Sequence, residues 1–573
     1  MTLRAFDNVI FVSAQEPLTS LVSSMKKADG RLVELVLVVG DYNVLLGVIN
    51  YGDIIRLLAA GGNLDGVAAD VMITDPITAP AEASEEQILK TVRSQMIART
   101  NGEKEFTKLV PLVDSSNVVI EISDIFELLI RSPRSGYRVE VYGLGFVGLT
   151  LSVALASRGH VVTAVDSNVE LVEQLKDGKP HVHEPRLGDM LEQSLRDENL
   201  KIVSEAPNDH HRVVIIAVGT PVDQFGNVSL KALENVCRVV GKRLQSGDLV
   251  MPRSTIPVGT CRGLVKDILE AESGLTVGRD FHLVFAPERT VEGKAIQELT
   301  SLPQIVGGYS SKCVSVAVDF WQTLTSSVVK TDSLEAAELV KLVNNSYRDL
   351  SFAFSNGLAL LSDKFNLPAS RIIDAANEGY PRNQIPGPSP GVGGYCLTKD
   401  PFLYGAIDQN ALHSRLATLG REINVAAGAY PFGLLCRFAN VCGRPLKTLR
   451  VVVAGMAFKG LPETNDLRGS LGIELAHQLI DAGCDTTLFD AVADVTDQFS
   501  FQTISTDLLD SVKDCDAFFI MNNHPLNAPD GLLSQLSNGD VLLFDGWNLL
   551  NRFEVERHGN ITYSTMGYMT ANE

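Results

Sequence analysis

The stretch GVGGYCLTKDP, Gly391 to Pro401, sets one cysteine behind three glycines and ahead of a Lys399–Asp400 pair. A thiol turns nucleophilic where a base or a positive field favours the thiolate, and glycines beside it let a substrate and a cofactor come close. Cys396 is therefore a candidate nucleophile, the alternative being a structural cysteine in a glycine-rich loop. Lys341 and Asn345, in VKLVNNSYRD, stand four apart. On a helix they share one face and could direct two donors at one oxygen, or they form an ordinary solvated face. In FAPERTVEGKAIQEL, Glu288 and Glu292 follow a strand-like HLVFA, where carboxylates could orient water or bind hydroxyls. Ser254 and Thr255 in MPRSTIPVGT, and VGTPVD from Val218 to Asp223, end two further strand-like runs, at the edge where open α/β sheets bind ligands.

The elements that must position these residues are legible around them. YRVEVYGLGFVGLTLSVALASRGHVVTAVDSN reads as strand, glycine-rich turn, helix and strand. Gly143, Gly145 and Gly148 form G-x-G-x-x-G between the first strand and the helix, and Asp166 closes the next strand 18 residues beyond Gly148. The first glycine makes a tight turn, the second lets the backbone approach a pyrophosphate, and the third permits close helix–strand packing. An acid at the end of the second strand suits a ribose diol and repels a 2′-phosphate, so NAD is favoured over NADP. Strand–helix alternation runs to about residue 330, followed by the long amphipathic LEAAELVKLVNNSYRDLSFAFSNGLALLSDKF, and resumes from TLRVVVAGMAFKG.

The chain has 573 residues, 45% hydrophobic and 21% charged, which exceeds one core and suggests several domains. Its eight cysteines are scattered, with no CxxC pair and no zinc-type spacing, as expected of reduced thiols and of a site without metal. The N-terminal MTLRAFDNVIFVSAQEP lacks a signal-peptide layout and no run of about 18 or more apolar residues occurs, so a cytoplasmic protein is expected. A formal charge of -20 opposes nucleic acid and anionic lipid but leaves a small anionic substrate open.

Up to about residue 131 a pattern occurs twice: LLGVINYGDIIRLL (Leu45 to Leu58) and SNVVIEISDIFELL (Ser116 to Leu129), each an apolar strand, a turn residue, and Asp-Ile opening a helix. This tandem resembles a pair of cystathionine-beta-synthase-type (CBS) domains, whose clefts often hold adenine nucleotides. The resemblance implies that Asp53 and Asp124 meet a ligand ribose; the alternative is that each merely caps its helix. RSPRSGYR, Arg131 to Arg138, breaks the pattern as a linker.

GLGFVG, VGTPVD, STIPVGT, APERTVEG, KLVNN, GVGGYCLTKD and AGMAFKGLPETNDLRGS follow in order from residue 137 to about 570. Together they resemble the UDP-glucose/GDP-mannose dehydrogenase family of nucleotide-sugar 6-dehydrogenases. That resemblance implies two Rossmann-like doubly wound α/β domains joined by a long helical connector, preceded by the α+β CBS pair. The expected division is a regulatory pair at 1–131, an NAD-binding domain at 137–330, a helical domain with the cysteine loop at 331–440, and a UDP-binding domain at 441–573. It further implies a homodimer or larger homo-oligomer, and two successive hydride transfers to NAD that convert a sugar's C6 alcohol into a carboxylate through a thiohemiacetal and thioester on Cys396.

By the same match, Lys341 and Asn345 stabilise alkoxide and oxyanions, Asp400 assists proton transfer, and Thr255 with Glu288 positions or activates water. Gly143, Leu144, Gly145, Phe146, Val147, Gly148, Asp166, Thr220, Thr255, Glu292, Lys399 and Arg468 are expected at the cofactor. Glu288, Arg289, Lys341, Asn345, Arg382, Gly391, Gly393, Phe458 and Lys459 are expected at the substrate, Arg382 from a neighbouring subunit. EGYPRNQIPGPSPGVGGYC is similar to the branch acting on UDP-N-acetyl-hexosamines, with Tyr380 and Tyr395 in place of its histidines and Ser389 within the proline run. Lys399 is instead typical of the UDP-glucose branch, which leaves UDP-glucose as the alternative substrate. Two other readings remain: a two-electron alcohol dehydrogenase, which would not need Cys396, and a nucleotide sensor with a degenerate catalytic domain, which would be expected to have lost one of these residues.

Overall fold

The computed structural model describes residues 9–25, 33, 35–59, 61–100, 109–125, 128, 136–206, 210–222, 228–408, 410–499, 502–536 and 539–570. The chain divides into two compact units, Met1–Arg134 and Ser135–Glu573.

The first unit repeats one small design. In one half, Val9–Ser13 pairs parallel with Leu35–Val39, which pairs antiparallel with Leu45–Ile49. In the other, Ala79–Pro80 pairs parallel with Leu109–Val113, which pairs antiparallel with Val119–Asp124. Alternate strand residues supply a shared apolar seam in which Leu35, Leu37, Leu45 and Val48 of one half meet Leu109, Val119 and Ile122 of the other. Beyond Ile125, most of the helix expected after Asp124 and the linker from Arg131 to Ser135 lie outside the described residues, as does Asp223 of VGTPVD.

The second unit holds two open sheets. In the eight-stranded sheet, the strand Arg138–Tyr142 lies between Val161–Val165 and Val213–Ile216, both parallel to it. The strand order reverses there, so the helices that follow diverge and open a crevice at the carboxyl ends of the strands. Among the described residues of this eight-stranded sheet, only the pairing of His282–Phe285 with Gln304–Gly308 is antiparallel. The seven-stranded sheet reverses in the same way at Arg450–Ala454, between Asp485–Phe489 and Ala517–Ile520.

Between the sheets runs a connector helix, Leu334–Asp363, of 30 residues, about 45 Å long at 1.5 Å per residue. The Ser333 hydroxyl caps it by accepting from the Ala336 amide at 3.2 Å. Two further helices pack on it: the thiol helix, Tyr395–Gly405, and a bracing helix, Leu412–Gly428. The bracing helix comes close because Gly420 has no side chain: a Cβ there would lie 2.7 Å from Leu350.

Candidate active site

A cavity of about 1220 Å³ lies between the two sheets and the connector. That exceeds the range of about 300–1,000 Å³ usual for a pocket holding one small molecule. Its walls carry Gly143, Gly145, Phe146, Val147 and Asp166 on one side, Phe458, Lys459 and Arg468 on the other, and Lys341, Asn345 and Cys396 between them.

The glycine-rich turn fits a dinucleotide. Gly143 has φ +88°, and a Cβ on Gly148 would sit 1.8 Å from the Gly143 carbonyl oxygen, so the turn and helix can meet only without side chains there. A Cβ on Gly145 or Gly219 would meet nothing within 4 Å, leaving both backbones bare to the cavity. Asp166 braces the turn: Oδ2 accepts from the Leu144 amide at 2.7 Å and Oδ1 from the Asn168 amide at 2.9 Å. The Leu144 side chain is in the core, and Gly148 supports packing rather than lining the cavity.

The second sheet repeats the device. The amides of Met456 and Ala457 donate to Asp490 Oδ2 at 2.7 and 2.8 Å, and those of Val492 and Ala493 donate to its Oδ1 at 2.8 Å. Sequence reasoning missed Asp490, although TTLFDA carries the same strand-then-acid signal as TAVDSN.

Cys396 stands in the first turn of the thiol helix, opened by Gly394 at φ +85°, and the positive end of the helix favours a thiolate there. A Cβ on Gly394 would lie 2.8 Å from the Phe458 ring and one on Gly393 2.4 Å from the Gly469 carbonyl oxygen, so these glycines let the loop press against the second sheet's domain. Cys396 is exposed and lines the cavity. Burial pushes the thiol up, Lys341's charge pulls it back, Asp400 raises it and Lys399 lowers it.

Lys341 and Asn345 do share a face, and each is bonded to protein. Lys341 Nζ donates to the Glu288 carbonyl, and Asn345 Nδ2 to Asp400 Oδ2 at 2.6 Å. Asp400 is fully buried; its Oδ1 accepts no hydrogen bond and lies 3.6 Å from Lys399 Nζ. Lys399 Nζ in turn lies 3.4 Å from both oxygens of Thr220, whose hydroxyl donates to the Thr255 carbonyl at 2.6 Å. Thr255 and its neighbour Ser254 line the cavity.

Glu288 is 5% exposed and held by Arg253, which is 1% exposed. Its Oε1 also accepts from the amides of Arg289 and Thr290 at 2.6 and 2.7 Å. Burial alone would raise this carboxyl; the Arg253 charge and hydrogen bond, with the Thr290 amide, hold it below the ordinary range. Glu292 goes the other way, raised by burial and by Asp466, while accepting from Thr464 Oγ1 at 2.8 Å. Lys459 Nζ donates to the Glu292 carbonyl at 2.6 Å, and Arg289 Nη2 donates to the Pro303 carbonyl at 2.5 Å.

Arg468 lies over the Tyr395 ring at 4.7 Å and Lys399 Nζ 5.0 Å from the same ring, so Tyr395 lies within cation–π reach of two cations at the cavity wall. Arg382 is exposed beside its own Tyr380, Nε 3.0 Å from the phenol oxygen, and does not line the cavity; nor does Gly391. Arg253 was missed by sequence reasoning although it sits beside Ser254. Arg348, exposed on the cavity wall one turn after Asn344, was missed too.

In the first unit, Asp53 is 8% exposed. Its Oδ2 accepts from the Asn50 amide at 2.7 Å, its own amide donates to Asn50 Oδ1 at 3.1 Å, and its Oδ1 meets Arg56. Asp53 is thus the third residue of the helix Tyr51–Ala59 and forms a reciprocal capping pair with Asn50 ahead of it. Asp124 ends its strand, paired with Leu109.

Two doubly wound domains facing one cavity, with a dinucleotide turn on one wall and a thiol on the floor, define an NAD-dependent dehydrogenase. The chain belongs to the UDP-glucose/GDP-mannose dehydrogenase family: family models match its NAD binding domain at residues 137–325, its central domain at 335–426 and its UDP binding domain at 452–552, and a CBS domain model matches residues 5–60. It is 30% identical over 390 residues to the UDP-N-acetyl-D-mannosamine dehydrogenase of Pyrococcus horikoshii, covering 68% of this chain and 90% of that one. It is also 30% identical over 358 residues to an NDP-N-acetyl-D-galactosaminuronic acid dehydrogenase of Ralstonia nicotianae, covering 61% and 82%. The solved structure of the Pyrococcus horikoshii UDP-D-ManNAc enzyme superposes with a TM-score of 0.68 at 28% identity, covering 75% of this chain and 99% of that one. A UDP-glucose dehydrogenase from Pyrobaculum islandicum gives 0.66 at 26% identity, covering 76% and 99%. Among the described residues no helix is long and apolar enough to cross a membrane.

Proposed function

We propose that the protein oxidises the C6 alcohol of a UDP-N-acetyl-hexosamine, UDP-ManNAc or UDP-GlcNAc, to the uronic acid. The observation that carries this reading is Cys396 at the meeting point of the NAD-side wall, the connector donors and the second sheet's domain. NAD held at the glycine-rich turn would supply the hydride acceptor, a fresh molecule for each of the two oxidations. In the first, the alcohol also loses its proton and becomes an aldehyde. Cys396 Sγ then bonds to the aldehyde carbon and the thiol proton goes to oxygen, giving a thiohemiacetal. Loss of a second hydride and a proton leaves a thioester, which water converts to carboxylate and free thiol. Lys341 and Asn345 turn their donors to the alkoxide and oxyanions, Asp400 assists proton transfer, and Thr255 with Glu288 orients the water. Glu292, Lys399, Thr220 and Arg468 hold the cofactor side. Phe458 and Lys459, with Arg289 and the backbone of Gly393, hold the sugar and diphosphate.

Kinship to N-acetyl-mannosamine enzymes and the GPSPGVGG run support the acetamido sugar. Lys399 favours UDP-glucose as the second reading. The stretches 1–131, 137–330, 331–440 and 441–573 serve as regulatory, NAD, central and UDP modules. An adenine nucleotide binds the CBS pair near Asp53 and Asp124, and Arg382 reaches the substrate of a neighbouring subunit. Eight unpaired cysteines support a cytoplasmic home.

Purified protein and Cys396→Ser, supplied with NAD and a panel of UDP-sugars, test the reading by NADH formed per sugar consumed. About two from the wild type and a stalled second oxidation in the variant are expected. One NADH from both makes the thiol structural and the enzyme a two-electron dehydrogenase.

A further inference from the structure

The helix that bears the thiol contains a proline in its interior, Pro401. Proline has no N–H, so the carbonyl four residues back, that of Leu397, loses its intrahelical donor. Leu397 directly follows Cys396. The orphaned oxygen is instead met by Arg421 of the bracing helix, Nη1 3.4 Å away. The same nitrogen donates to Asp349 Oδ1 of the connector at 2.7 Å.

The contact continues to the other side of the thiol. Asn424 Nδ2 donates to Asp349 Oδ1 at 2.8 Å and to its carbonyl at 3.1 Å. Asn356 Nδ2 donates to Asn424 Oδ1 at 2.9 Å, and Asn356 Oδ1 accepts from the Ser389 amide at 2.9 Å. Ser389 Oγ closes on the Gly391 carbonyl at 2.7 Å. Asp349 and Asn356 are 0% exposed, Asn424 1%, Ser389 2% and Arg421 8%. None of the five lines the cavity. Burying so many polar groups costs free energy unless each is bonded, and Asp349 Oδ2 has no partner. Such a network is poorly explained as a device for stability alone and well explained as one that fixes a particular geometry.

We propose that Asp349 and Arg421 are positioning residues for Cys396, gripping its loop at Leu397 behind the thiol and, through Asn424, Asn356 and Ser389, at Gly391 ahead of it. The inference rests on the thioester reading above. The first hydride leaves a sugar alcohol held by the cavity walls, with no bond to sulfur. The second requires the S–C bond, and a displacement of about 1 Å in a reacting atom is enough to cost up to about a hundredfold. Loosening the grip therefore releases aldehyde.

Arg421→Lys keeps the charge but puts it on a differently placed ammonium, displacing the one nitrogen, Nη1, that bridges Asp349 and the Leu397 carbonyl. Ser389→Ala removes one hydroxyl and no charge, and carries the test should the lysine variant fail to fold. The expected result is NADH per sugar falling from about two toward one, with aldehyde trapped by hydroxylamine and the second oxidation slowed about tenfold, while the KM for the sugar changes by less than about twofold. Retention of two NADH per sugar in both variants, with any rate loss tracking a lower melting temperature, overturns the proposal. Cys396→Ser is assayed alongside: if that variant also forms two NADH per sugar, it is the thioester reading that fails.

Discussion

Cys396 is subject to opposed influences. Burial and the Asp400 carboxylate disfavour its thiolate, while Lys341, Lys399 and the helix N-terminus favour it, and the balance leaves the thiol above its ordinary value. In the reaction proposed above, a thiol so raised would give up its proton only as the aldehyde arrives. Alkylation of Cys396 by iodoacetamide, followed by peptide mass spectrometry against pH, checks the sign. The rate should rise with pH through a midpoint above the ordinary thiol value of about 8.5. Asp400→Asn removes a raising influence and should move that midpoint down, and Lys341→Met removes a lowering one and should move it up. A midpoint below the ordinary thiol value would mean that the field of the two lysines and the helix wins. That Cys396, Lys341 and Asn345 meet at one cavity, with Asp400 behind Asn345, follows the expectation drawn from spacing and resemblance. The grip on the loop was half legible: Pro401 closes the quoted stretch, but its consequence lies in Arg421, and nothing in a one-dimensional pattern pairs a proline with an arginine twenty residues on.

At the scale of elements, the site depends on loops that buried carboxylates hold by their backbone amides. Glu338, 1% exposed near the start of the connector, accepts from the Cys261 amide at 2.8 Å and from that of Gly259, just beyond Thr255. Glu184 accepts from the amides of Gly293 and Ile296 at 2.8 and 3.2 Å, fixing the end of the Glu288–Glu292 loop. Neither was foreseen, because an acid whose partner is a distant backbone amide has no periodicity. The glycine-rich turn was foreseen, since its constraint is local and steric. Gly148→Ala tests it: the added methyl would sit 1.8 Å from the Gly143 carbonyl oxygen, where backbone must shift. We expect a loss of about 2 kcal/mol or more of stability, read as a lower melting temperature, and NAD binding weakened at least about tenfold by calorimetry. Gly145→Ala offers a contrast, since its Cβ would meet only cavity. That change should leave the melting temperature close to wild type and weaken NAD alone, by occupying the approach of the pyrophosphate.

At the scale of the whole molecule, the central helices carry exposed apolar side chains among the described residues. Along the connector Tyr347, Phe354 and Leu361 recur every seven residues at 71, 64 and 52% exposed, and the bracing helix presents Leu412, Leu416 and Leu419 at 76, 52 and 53%. Hydropathy patterning had marked the connector as an amphipathic helix without saying which apolar face would stay outside, because a buried and an exposed stripe read alike in sequence. If these exposed side chains form an association surface, it must work against a net charge of -20 that keeps copies apart. A second copy of the chain is its simplest occupant, related by a two-fold axis that brings each helix against its mate. Phe354→Asp then places a carboxylate in the interface twice over. Sedimentation velocity at micromolar concentration should give a dimer for the wild type and a monomer for the variant, with dissociation favoured by about a hundredfold or more. The monomer should keep its NAD affinity, because the dinucleotide turn is built wholly within one chain, and should lose sugar oxidation if Arg382 serves the neighbouring site. A wild type that sediments as a monomer would refute the association, and a monomeric variant with full activity would show that each subunit completes its site alone.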